Sequence, residues 1–289
     1  MKGGIVMKKR VRIRCILILF LVAGPVAAQK VAASPVAKQL WETPRELMVP
    51  ESVMYDAVHQ VIYVANIAGK PTEKNGQGFI SQINLDGTIK KLRWVTGLNA
   101  PKGMGIFQNT LYVTDIDQVH AIDITSGKKK KTWHAQGAKF LNDIAIDQKG
   151  TVYITDMHVN ALYAIQKGEI ELFMTLQQKA PNGLLMSGGA LLVGTADGLF
   201  SIDTNSKNIN ELIKHTGGID GLKQLADERY IVSDWRGKTQ VIEKGKSPVV
   251  LIDTTKQNIN AADLEFIPSK KLLLIPTFFD NRVVGYQVR

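Results

Sequence analysis

The chain has 289 residues, 45% of them hydrophobic and 21% charged, the balance of an ordinary soluble globular protein. Its formal charge of +10 is misleading, because Lys2, Lys8, Lys9, Arg10, Arg12 and Arg14 all precede a short apolar run with no acid among them. The remaining positive balance is too modest to imply a nucleic-acid partner, and a single cysteine, Cys15, excludes a disulfide framework.

Residues 1–28 read as a secretory signal peptide: a basic start, an apolar stretch over 15–23, and small residues at Val26-Ala-Ala28 that suit cleavage before Gln29. The apolar stretch is shorter than the roughly twenty residues a bilayer span needs. A retained N-terminal anchor is the alternative. After processing we expect no stable membrane span and a periplasmic or secreted protein. Residues 29–38 are small and polar and read as a flexible tether. The rest, 39–289, reads as one domain.

That domain repeats with a period of about forty residues. Apolar strands recur as Val61-Ile-Tyr-Val-Ala-Asn66, Leu111-Tyr-Val-Thr-Asp115, Val152-Tyr-Ile-Thr-Asp156, Leu191-Leu-Val-Gly-Thr195, Tyr230-Ile-Val-Ser-Asp234 and Leu272-Leu-Leu-Ile-Pro-Thr277. Turn signals such as Leu85-Asp-Gly87, Ser126-Gly127 and Gln148-Lys-Gly150 separate them, and no segment keeps a long helical period. The pattern predicts an all-β, six-bladed β-propeller with four antiparallel strands per blade. The last blade is expected to close by pairing a strand around 40–47 with the final strand over 282–288. Lys128-Lys-Lys-Lys131 reads as a solvated hairpin turn.

Each copy opens on a polar residue: Glu51, Lys102, Asn142, Asn182, Asp220 and Asp263. By the repeat, each enters the innermost strand of its blade at one mouth of the central channel. Carboxylates and amide carbonyls are the hard oxygen donors that calcium prefers, so Glu51, Asn142, Asn182 and Asp220 form a candidate metal set. Asn-Gly, Asn-Asp and Asp-Gly are also common turn dipeptides, and any one alone reads as a turn. Four in phase within one repeat point to a divalent cation. Lys102 would bind an anionic substrate group, pair with Asp263, or lie across the mouth. Trp235 and Phe278-Phe279, at matching strand ends, would line the pocket. The five histidines fall at unrelated points of the repeat, with His158 nearest a strand end. No Ser-His-Asp arrangement is visible.

Pro50-Glu-Ser-Val-Met-Tyr-Asp56, Asn142-Asp-Ile-Ala-Ile-Asp147, Pro181-Asn-Gly183 and Ile219-Asp-Gly-Leu222 resemble motifs of the gluconolactonase, regucalcin (senescence marker protein) and luciferin-regenerating enzyme family. The resemblance runs over about 40–288. It implies a six-bladed propeller with a divalent cation, often calcium, on its axis. Glu51, Asn182 and Asp220 fall on the family's metal-ligand positions, and Asn142 on an Asn that contacts metal or substrate. The resemblance makes Asp220 the proposed base as well as a ligand, in a lactone or ester hydrolase acting on a small molecule. One departure is Phe140, where the family's sugar-lactone hydrolases often carry Arg. It argues against a polyhydroxylated sugar lactone and leaves a more apolar wall. Lys102 and Asp263 complete the expected substrate side. The alternatives are a non-enzymatic propeller similar to those with NHL repeats, binding a peptide, glycan or small ligand, and a strictosidine-synthase-like propeller.

Overall fold

The computed structural model describes residues 1–4 and 36–289. The expected signal peptide, apart from its first four residues, and the tether up to residue 35 lie outside the described residues. Ser34–Arg289 is one unit. It contains six four-stranded antiparallel sheets, the predicted six blades. The first five run in chain order: β2–β5 (Pro50–Asp56, Val61–Asn66, Gly78–Ile83, Ile89–Leu98), β6–β9 (Pro101–Phe107, Thr110–Asp115, Gln118–Asp123, Lys129–His134), and β10–β13 (Leu141–Ile146, Val152–Asp156, Ala161–Gln166, Glu169–Thr175). Then follow β14–β17 (Leu184–Ser187, Ala190–Gly194, Gly198–Ile202, Ile209–Lys214) and β18–β21 (Leu222–Ala226, Arg229–Asp234, Lys238–Glu243, Val249–Asp253). Among the described residues no helix is long and apolar enough to cross a membrane.

The sixth blade has the order β1-β24-β23-β22, with β1 Ala37–Glu42, β22 Glu265–Ile267, β23 Leu272–Pro276 and β24 Val283–Val288. Both chain ends therefore build it, as expected. The N-terminal strand starts earlier than the expected 40–47, and its first two residues, Ala37 and Lys38, fall inside the expected tether. Its register is Ala37↔Val288 to Glu42↔Val284. The earlier start follows from the length of β24: on its edge away from β23, Tyr286, Gln287 and Val288 would be left open, and Gln39, Lys38 and Ala37 cover them.

Burial within each blade explains the sequence pattern. The second strands β3, β11 and β23 are buried at every residue, because neighbouring blades cover both of their faces. They therefore read as unbroken apolar runs rather than as alternation. The fourth strands lie outermost and are mostly exposed; β9 buries only Trp133. Three of the four lysines in the 128–131 run lie in β9 rather than in the turn, where charge discourages edge-to-edge pairing. Tyr63 stacks on Trp94 at 4.8 Å, and the Trp133 indole N–H donates to the Gly168 carbonyl at 2.8 Å. The first contact lies within one blade, but Trp94 also meets Gly127 of the next blade, 3.0 Å from where its Cβ would stand, so both tryptophans pack between blades.

Closure depends on a tight contact in the sixth blade. A Cβ at Gly285 would stand 2.4 Å from Trp41 Cε2, so the indole of β1 lies directly on the β24 backbone. Gly285→Ala is expected to cost about 2 kcal/mol through overpacking, a loss of several degrees in Tm for a domain of this size. Thermal unfolding of Gly285→Ala beside the Trp41→Ala/Gly285→Ala double variant checks this. A Gly285→Ala variant as stable as the parent would remove the contact from the closure.

Candidate functional site

The first residues of the inner strands depart from ordinary ladder pairing. In β2 the register jumps from Pro50↔Asn66 to Ser52↔Ala65, leaving Glu51 as the extra residue of a bulge. β6 and β10 carry matching irregularities at Lys102-Gly103 and Asn142-Asp143. Such bulges re-aim side chains. Asn182, Asp220 and Asp263 stand two residues ahead of β14, β18 and β22.

The glycines that follow the polar residues have a packing reason, not a turn reason. A Cβ at Gly183 would stand 2.6 Å from the Asp220 carbonyl oxygen, and one at Gly221 would stand 2.4 Å from the Leu264 amide nitrogen. Neither glycine is in the left-handed region. Adjacent inner strands simply approach too closely for a side chain there. The turn reading of Asn182-Gly183 and Asp220-Gly221 is thereby corrected.

The Thr-Asp pairs of the second strands hold this backbone in place. Hydroxyls reach into the following blade: Thr114 donates to the Asn142 carbonyl at 2.5 Å, Thr155 to the Asn182 carbonyl at 2.9 Å, and Ser233 to the Ala262 carbonyl at 2.7 Å. Carboxylates hold the connection entering their own blade. Asp115 accepts from the amides of Asn99 (2.8 Å) and Ala100 (2.7 Å), and Asp156 from those of Lys139 (2.6 Å) and Phe140 (3.0 Å). His120 is buried against Asp115 at 3.1 Å and belongs to this framework.

Five of the six axial side chains are buried and Asn182 is half-buried, and several of their oxygens are short of partners. Asn182 Nδ2 donates to Asp220 Oδ1 at 2.8 Å, which leaves Asn182 Oδ1 free. Ser52 donates to Asp263 Oδ2 at 2.8 Å, which leaves Asp263 Oδ1 free. Glu51 Oε2 and Asn142 Oδ1 also have no partner. Of seven buried unpartnered side-chain oxygens and nitrogens among the described residues, four belong to these axial positions, and all four are oxygens. Orphaned buried acceptors are costly, so their concentration here calls for a donor or a cation. No three His, Cys, Asp or Glu side chains among the described residues could hold a metal by themselves. A cation here would need the amide oxygens as well, which suits an oxygen-seeking ion. Asp263, expected on the substrate side, presents the same kind of free oxygen as the expected ligands.

Burial dominates the electrostatics. It pushes the Asp220 carboxyl up to about 8, with the nearby Asp263 adding to the rise and the Asn182 hydrogen bond opposing it. Glu51 is raised well above the usual carboxylate range by burial, then by Asp220 and Asp263. Asp263 is raised by burial and relieved by Lys223. Lys102 is pushed down to about 8 by burial, against the pull of Glu51, Asp115 and Asp156.

Lys102 does not pair with Asp263. Its ammonium donates to the carbonyls of Pro71 at 2.9 Å and Ala100 at 3.0 Å and lies 4.4 Å from the centre of the Phe140 ring. The bulge at Lys102-Gly103 and the inward fold of the Pro71 loop bring carbonyl acceptors to it. Phe140 is buried and stacks on His158 at 4.3 Å. Beside the axis, a pocket of about 460 Å³ is lined by Asn182, Asp220, Met157 and Trp235. Trp235 meets Phe278 and Phe279 edge-to-face at 5.5 and 6.1 Å; Phe278 is buried and Phe279 exposed.

Three further charges were missed by the repeat reading. Asp143 accepts from the amides of Leu184 and Ile144, each at 2.6 Å, and ties neighbouring inner strands together. Lys223 is held protonated by Glu265, Asp263 and Asp143 against the cost of burial. Each falls one to three residues after a polar start, on the same inner strand. Scanning those offsets for charge in an otherwise apolar strand would have found them.

No protein-family model and no curated protein sequence matches the chain. Solved structures do. A streptogramin B lyase matches at 12% identity and a TM-score of 0.64, over 89% of this chain and 98% of that one. The virginiamycin B lyase of Staphylococcus aureus matches at 15% identity and a TM-score of 0.61, over 88% and 99%. A catalytically inactive form of the same lyase, with quinupristin, matches at 14% and 0.61, over the same shares. At these identities the likeness is one of fold, and it agrees with the six blades described above.

The raised carboxyls set a pH dependence of stability in the absence of divalent ions. Asp220 titrates near 4 when unfolded and near 8 when folded, so between these values the folded state holds more protons. Stability then falls as pH rises through that window, and Glu51 and Asp263 act with the same sign. Lys102, lowered from 10.5 to about 8, acts oppositely above pH 8. In EDTA, Tm is expected to decline from pH 5 to pH 8 and to recover on adding calcium at pH 8. A flat profile would show that the axial acids do not share one buried field.

Proposed function

We propose that the protein is an exported, cation-dependent hydrolase of lactones or esters. The observation that carries this reading is the group of buried, unpartnered oxygens on Glu51, Asn142, Asn182 and Asp263 beside the Asp220 carboxylate. The short motifs around Glu51, Asn142, Asn182 and Asp220 support it by their resemblance to the gluconolactonase and regucalcin family. Glu51, Asn142, Asn182 and Asp220 would hold the cation, with Asp263 next to them. A bound divalent ion, calcium by the all-oxygen donor set, would polarise the substrate carbonyl and favour a nucleophilic water.

The chain's own groups supply the rest. Asn182 orients Asp220 through its Nδ2–H, leaving Oδ2 of Asp220 to take a proton from the attacking water. Water adds to the carbonyl carbon, the C–O bond to the leaving oxygen breaks, the proton taken by Asp220 passes to that oxygen, and a lactone yields a hydroxy acid. Phe140 and Met157 give the site an apolar wall that keeps its electrostatics strong. Lys102, fixed by the carbonyls of Pro71 and Ala100, adds positive potential where negative charge develops.

Calorimetric titration with calcium should show binding that Asp220→Ala loses. Against a panel of lactones and aryl esters, that variant should lose at least about a hundredfold in kcat/KM. Turnover in ¹⁸O-labelled water should place one label in the acid product. An unlabelled, unsaturated product would instead assign elimination; the solved neighbours carry the name lyase. Absence of both cation binding and turnover in the unaltered protein would leave a propeller that binds a ligand without transforming it.

A further inference from the structure

A second pocket adjoins the first. It has a volume of about 620 Å³ and is lined by Trp235, Phe279, Arg236, Lys238, Thr255 and Asn258, among others. Asp234, Trp235 and Arg236 line both pockets, so the Trp235 turn forms the boundary between them. This turn joins β19 to β20 and is held at its base. Asp234 accepts from the Arg236 amide at 3.0 Å, and the Trp235 carbonyl accepts from Asn260 Nδ2 at 2.9 Å.

Its side chains are poised outward. Trp235 is 41% exposed and Phe279 63% exposed, although both pack on the buried Phe278. Exposed aromatic rings anchored on a core aromatic are an apolar contact surface prepared at low entropic cost. Arg236 and Lys238 are exposed, and neither side chain forms an ion pair or hydrogen bond among the described residues. The second pocket therefore offers aromatic surface beside two cations with no direct ion pair, although Asp234 also lines it and Lys238 lies across the strand from Asp253.

We propose that the two pockets form one extended cleft for a substrate with an aromatic group and a distal carboxylate. The reacting carbonyl would sit at the Asp220 end, the ring against Trp235 and Phe279, and the carboxylate at Arg236 and Lys238. The assignment of the reacting end rests on the hydrolase reading; the recognition of an aromatic carboxylate does not. Trp235 and Phe279 are positioning residues, and Arg236 and Lys238 select charge.

Calorimetry in EDTA, with 2-naphthaleneacetate, the neutral 2-naphthaleneethanol and acetate as probes, tests recognition apart from chemistry. The aromatic acid should bind about tenfold more tightly than the neutral alcohol, and acetate should not bind measurably. Arg236→Gln/Lys238→Gln should bring the acid down to the affinity of the alcohol. Trp235→Ala should weaken both aromatic probes, and Phe279→Ala, at a more exposed position, repeats that test without touching the Trp235 turn. Equal binding of acid and alcohol by the unaltered protein would overturn the inference, as would aromatic binding indifferent to Trp235 and Phe279. Probe binding without any lactone or ester turnover would sink the hydrolase reading alone.

Discussion

Six inner strands must bring their leading residues to one axis, and the space there decides what each residue can be. Neighbouring backbones approach so closely that Gly183 and Gly221 have no room for a Cβ. The axial backbone therefore cannot rely on side-chain packing for its position. It is held by polar ties instead: hydroxyls of Thr114, Thr155 and Ser233 to the next blade, and the carboxylate of Asp143 to the amide of Leu184. The ring closes with a backbone hydrogen bond, from the Asp263 amide to the Glu51 carbonyl at 3.0 Å. Because these ties are satisfied within the protein, the remaining axial oxygens stay free.

That division of labour separates two groups of buried carboxylate, with Asp143 between them: it accepts two backbone amides, yet burial and Asp263 still raise it. Asp115 and Asp156 each accept several backbone amides, and the hydrogen bonds to Asp115 hold its carboxyl low despite burial. Glu51, Asp220 and Asp263 have fewer donors and more like charge around them, so their proton affinity rises. Burying a charge without a partner is costly, and folding retains these groups only where another species can neutralise them. Protons do so at low pH. A divalent ion would do so near neutrality, which is why the raised carboxyls and the orphaned oxygens point the same way.

The fold was legible in the sequence because a blade's second strand is buried on both faces and leaves an unbroken apolar run. The leading polar residues were legible for the same reason: the repeat fixes their phase. Finer placement was not. Whether Lys102 pairs with Asp263 depends on the bulge at Lys102-Gly103 and on where the Pro71 loop returns, and neither leaves a periodic signal. Asn-Gly and Asp-Gly carry the same letters whether glycine serves a turn or a close approach, so only three-dimensional neighbours distinguish them. Asp143, Lys223 and Glu265 were hidden because they share strands with louder residues and compensate one another across blades.

The axial ring is not symmetric, and its asymmetry sets the direction of approach. On one side Lys102 is 1% exposed, capped by the Pro71 carbonyl and by Phe140, which is itself stacked on His158. A ligand cannot enter there without displacing hydrogen bonds to a buried ammonium. On the other side Asn182 and Asp220 face a pocket whose border is the exposed Trp235. Entry from that side displaces only water from an aromatic surface, a favourable exchange. On the hydrolase reading proposed above, a substrate arriving over Trp235 would meet Asp220 and Asn182 first and have the charge of Lys102 beyond them. The closed side thus supplies the field and the open side the access, so specificity should depend more on the blade-five turn than on the axial residues.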